Sequence, residues 1–108
     1  MRIAIVSDTK RNAEHQLTQF MRYLVAVHGP NIATAHQRQG GLHKVTLATG
    51  ATITTYRLAE GLRGVSADVV LTDLTHHDDY LKPVIATGGR LVHTDPYLEV
   101  IDLMDTID

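Results

Sequence analysis

MRIAIVSDTKRNAEHQLTQFMRYLVAVHGP, residues 1–30, changes its hydrophobic period once, and the fold class turns on that change. Arg2 to Ser7 is a short run of mainly aliphatic residues that stops at Asp8 and Thr9. An apolar run of this length reads as a buried strand. From Lys10 the spacing lengthens. Ala13, Leu17, Phe20, Met21 and Leu24 recur at helical intervals, with Arg11, Glu14, Gln19 and Arg22 on the other side. That is the stripe of an amphipathic helix. Asp8 is expected to cap it. Gly29-Pro30 is expected to end it, since proline cannot continue a helix. Strand, turn and helix in this order predict a mostly parallel sheet.

Beyond the helix, Asn31 to His36 is expected as a strand and residues 37–41, QRQGG, as a polar loop. His43 to Leu47 and Ala51 to Arg57 are rich in Val, Ile, Thr and Tyr and flank Thr49-Gly50, which predicts a β-hairpin. Asp68 to Thr72 reads as a second buried strand, ending at Asp73. A short helical stretch is expected around Tyr80 to Ala86, near Pro83. Arg90 to Thr94 follows as a last central strand, leaving by Asp95-Pro96. Tyr97 to Ile107 reads as an acidic amphipathic helix or an edge strand.

A length of 108 residues makes residues 1–108 a single domain. With 44% apolar and 20% charged residues the composition is that of a globular protein and argues against disorder. Cysteine is absent, which excludes disulfides, a thiolate zinc site and a cysteine nucleophile. The apolar run at the N-terminus is too short for a signal peptide and is interrupted by Asp8. No stretch approaches the roughly 18 apolar residues of a membrane helix. A cytoplasmic protein with no membrane partner is therefore expected.

Formal charge is −2. Arg2, Lys10, Arg11, Arg22, Arg38, Lys44, Arg57 and Arg63 put eight of the ten cationic side chains in the first 63 residues, whereas the chain from Asp68 onward is acidic. A net-acidic domain is a poor non-specific ligand for nucleic acid. Were nucleic acid bound, Lys10, Arg11, Arg38, Lys44, Arg57 and Arg63 would be the contacts.

Two buried strands that end in aspartate, at Asp8 and Asp73, carry the strongest chemical signal. In open α/β sheets the carboxyl ends of parallel strands line the functional crevice, and a carboxylate on a rigid element suits a hard cation such as magnesium. Either aspartate would also serve as a helix cap. His76-His77-Asp78-Asp79 contains ligand-type residues, but neighbours on an extended loop point in different directions. A solvated loop that starts a helix is the better reading there.

The run from Thr46 to Asp73 resembles the middle of a phage terminase large-subunit ATPase or a related helicase-type motor. The matching parts are the turn Thr49-Gly50-Ala51, then Arg63-Gly64, then Val69-Val70-Leu71-Thr72-Asp73 in the place of Walker B. Leu81-Lys82-Pro83 and Gly89 to Pro96 resemble the next strand and its coupling motif. Ile3 to Leu24 is similar to the strand–helix unit that follows the P-loop helix. The resemblance implies a three-layer α/β domain with a mostly parallel central sheet, a RecA-like core without its Walker A unit, carrying an added hairpin. Asp73 would be its Walker-B-like or magnesium-binding residue.

Two departures decide the expected function. No G-x-x-x-x-G-K-[ST] occurs in the sequence, so no backbone amides and lysine cradle a triphosphate. The position of the motor's catalytic glutamate is Leu74, which cannot activate a water. A catalytically inactive, ATPase-derived binding module is expected, phage-encoded, with no cofactor and no catalytic residue. Loss of the P-loop unit would leave a sheet edge and aliphatic surface to cover, so a protein partner or homo-oligomer is expected. Val25 and Val27, off the main stripe of the helix, are the residues expected to contribute.

Two alternatives stand beside this. One is a nucleic-acid-associated accessory factor using the six basic residues above. The other is an Asp73-centred magnesium or phosphoacceptor domain, because Ala67 to Leu74 also resembles the phosphoacceptor strand of a receiver domain. Against that, the first strand ends in Ser7-Asp8 rather than paired acids, and the hairpin has no place in a receiver.

Overall fold

The structure is a computed structural model that describes residues 1–58, 62, 64–74 and 81–93. Six strands form one sheet: β1 (Arg2–Ser7), β2 (Ala33–Gln39), β3 (Leu42–Leu47), β4 (Thr52–Arg57), β5 (Ala67–Thr72) and β6 (Ile85–His93). Their order is β2-β3-β4-β1-β5-β6. β4, β1, β5 and β6 run parallel, while β2–β3 and β3–β4 are antiparallel. The expected α/β class holds, and the sheet is mixed. One α-helix, α1 (Lys10–His28), is present among the described residues.

β1 is central because both its faces are apolar. Ile3 and Ile5 join the core under α1 with Leu17, Phe20 and Leu24. Ala4 and Val6 join a second core on the opposite face with Val70, Leu81 and Val84. An uninterrupted apolar run is what a strand covered on both sides requires.

α1 begins one residue later than Asp8 would place it. Thr9 is the N-cap and its Oγ1 accepts the Asn12 N–H at 3.1 Å. Asp8 instead accepts from the Asn12 side-chain amide at 2.8 Å. At the other end the Gly29 N–H donates to the Val25 carbonyl, and Pro30 opens a 3-10 turn, Pro30–Ile32.

The hairpin expected around Thr49-Gly50 is present as β3–β4, with Val45 opposite Ile53. The preceding loop is not a loop. β2 continues to Gln39, and Gly40-Gly41 forms a tight turn into β3, both glycines at positive φ, as the right-handed twist of a two-residue hairpin demands. Of the helical stretch expected around Tyr80 to Ala86, Tyr80 lies outside the described residues, Leu81 is helical, Lys82–Val84 form a 3-10 turn, and β6 starts at Ile85, well before Arg90. The register of β6 on β5 shifts between Ala67 and Val69. Gly89 sits at that irregularity, where a Cβ would run into the carbonyl oxygens of Asp68 and Ala86. Arg63, the His76–Asp79 cluster, Asp95-Pro96 and the segment from Tyr97 to Ile107 lie outside the described residues.

Candidate functional site

Connectivity makes the carboxyl ends of β1 and β5 the switch point of the sheet, where a crevice is expected. After β1 the chain enters α1, which packs on one face over β1 and β4. After β5 it reaches Leu81 and Val84, which pack on the other face, and pairs as β6 on the far side. Ligands of open α/β sheets bind where two neighbouring parallel strands send their connections in opposite directions.

Parallel register delivers the side chains. Ser7 lies level with Arg57 of β4, and Val6 is level with Thr72, so Ser7 and Asp73 end adjacent strands together. Ile3, Ile5 and Ser7 alternate onto the α1 face, as do Val69, Leu71 and Asp73 on β5. Buried Ser7 donates its hydroxyl proton to Asp73 Oδ1 at 2.7 Å, and Gln16 Nε2 donates to the same Ser7 Oγ at 2.7 Å. Thr72, also buried, donates to the Val6 carbonyl and accepts the Leu74 N–H at 3.0 Å. That bond turns the chain so that Leu74 packs against the core on the opposite face. Asp73 therefore projects from a braced strand end with one oxygen held by Ser7, while Leu74 is directed inward.

A second polar cluster lies under the flank of α1, and it was not foreseen from the sequence. His43, 7% exposed, is held from both sides: its Nε2 lies 3.2 Å from Glu14 Oε2 and its Nδ1 2.8 Å from His36 Nε2. The two ring nitrogens of His43 are thus spanned between Glu14 and His36. Arg38 adds a longer contact to Glu14 at 3.9 Å. The signal was the Gly40-Gly41 turn, because a two-residue turn there puts Arg38 opposite His43 and His36 opposite Val45, on one face.

Neither a family model, nor a curated protein, nor a solved structure matches this chain. Chemical reading of the two clusters therefore rests on their own geometry. No group of three or more His, Asp or Glu side chains among the described residues is arranged to hold a metal ion. No helix among them is long and apolar enough to cross a membrane.

The basic residues separate into different places. Lys10 opens α1 with its stem against Gly41, Arg11 is exposed one residue on, and Arg38 shares their side of the sheet through Glu14. Lys44 pairs with Gln37 and projects from the other face, since its neighbours His43 and Val45 are buried under α1. Arg57 ends β4 level with Ser7.

Proposed function

We propose that this chain is a catalytically inactive binding module derived from a terminase- or helicase-type ATPase, phage-encoded, that acts through protein–protein association. The observation that carries the reading is the pair Asp73–Leu74. Asp73 ends the apolar strand β5 where a Walker B carboxylate would stand, and its Oδ1 is engaged by Ser7. The next residue, where a motor needs a carboxylate facing the nucleotide, is a partly buried leucine packed against the core of the opposite face. The reading takes β1, β5 and the hairpin β3–β4 at the Thr49-Gly50 turn as the counterparts of the motor's parts. A RecA-like, three-layer ancestry is part of this proposal.

Calorimetric titration with ATP and magnesium tests it, and no heat of binding is expected. Micromolar affinity would remove the claim that motor function has been lost. The rival reading, Asp73 as a magnesium or phosphoacceptor site, has its own readout: a carboxylate that binds the ion makes magnesium raise the melting temperature of the wild type but not of Asp73→Asn.

A further inference from the structure

α1 carries a second stripe beside its buried one. Glu14, Thr18, Met21, Arg22 and Val25 recur three and four residues apart along the flank that overlooks the β2–β3 hairpin. That flank and the hairpin face, including His36 and Val45, enclose an open groove of about 670 Å³. Val25 is 38% exposed within it, one of few large aliphatic side chains left in solvent among the described residues.

We propose that the groove takes α1 of a second copy of this chain, laid antiparallel against α1 about a two-fold axis at Thr18. This rests on the association reading above and names the partner. Charge dictates the alignment. Glu14 and Arg22 lie four residues to either side of Thr18, so the axis sets Glu14 of each copy against Arg22 of the other. A two-fold interface requires such self-complementarity. A parallel alignment would oppose like charges at both positions, and moving the axis to Glu14 or Arg22 would oppose two carboxylates or two guanidinium groups.

The other contacts agree. Thr18 is small enough for helix axes to approach to roughly 8–10 Å. Its hydroxyl already donates to the Glu14 carbonyl at 2.9 Å, so it enters the interface satisfied. Glu14 meets His43 and Arg38 through Oε2 alone, and 47% of its side chain remains exposed. The same register sets Met21 against His15 and Val25 against Arg11 of the other copy, so that the aliphatic stem of Arg11 covers Val25, and each hairpin face gains a cover.

Sedimentation of the full chain over a concentration series tests the inference, with concentration-dependent association expected. Glu14→Lys and Arg22→Glu should each weaken it at least about tenfold, because each opposes like charges. An equimolar mixture of the two variants should recover it, since every contact between unlike copies is then paired. Circular dichroism checks folding, as Glu14 also holds His43. If Glu14→Lys unfolds, Val25→Glu at its exposed position carries the test and must break the assembly. A wild type that stays monomeric to about 1 mM overturns the inference, as does a mixture no tighter than its components. Neither result touches the binding-module reading, which stands or falls with the ATP titration.

Discussion

Ser7 shows how little of a site one residue type reveals. A serine at the end of an aliphatic strand has no special character until parallel register sets it beside Asp73, with Gln16 reaching down from α1. Its single hydroxyl donates to one and accepts from the other, so it joins helix and sheet at the crevice. Ser7→Ala removes both bonds inside a fully buried position and is expected to lower stability by about 1–2 kcal/mol. Asp73→Asn keeps an oxygen that can accept from Ser7 on an exposed side chain, and should cost no more than about 1 kcal/mol. Urea denaturation of both variants gives the comparison. A larger loss for Asp73→Asn than for Ser7→Ala would mean that the carboxylate charge, not the hydroxyl bridge, holds the strand ends.

At the scale of the element, β6 is the strand whose placement depends most on backbone contact. It meets β5 through an irregular register, and at Gly89 the chains come so close that only hydrogen fits between backbone carbonyls. Carbonyls bonded within a sheet cannot retreat as a flexible side chain can. Gly89→Ala should therefore cost about 2–3 kcal/mol. It should appear as a lowered denaturation midpoint with an unchanged slope. A substitution that is neutral by that measurement would mean β6 is not seated on β5 in this register. The hairpin β2–β3 is hard to foresee for another reason: residues 37–41 are polar because β2 is an exposed edge, and polarity marks loops as well.

For the whole molecule, the distribution of charge outweighs its total. The formal charge of −2 repels nucleic acid weakly, and the basic side chains among the described residues divide between separate places. Lys10, Arg11 and Arg38 gather at the start of α1 and the hairpin tip, Lys44 faces away, and Arg57 stands at the end of β4 level with Ser7. Few of them can reach phosphates on one track, so counterion release offers little drive. Duplex DNA on a column should retain the protein only at low salt, and elution below about 0.1 M is expected. Retention at physiological salt with a steep salt dependence would favour the accessory-factor reading instead.

By itself the sequence determined those features whose physics is local. The apolar runs of β1 and β5, the helical stripe of α1, its stop at Gly29-Pro30 and the β3–β4 turn are written in neighbouring residues, because periodicity and turn geometry act over short spans. From them an α/β domain with parallel central strands was readable. The cap was misplaced by one position because Asp8 and Thr9 both suit that role, and only the backbone conformation chooses. Tertiary structure alone decided that Asp73 meets Ser7 across 66 positions and that Leu74 turns inward. It also decided that Glu14 and His43, 29 apart, close over a groove beside His36. Such contacts depend on strand order and register, which are set by how whole faces bury their apolar surface together, and no single stretch of chain encodes that outcome.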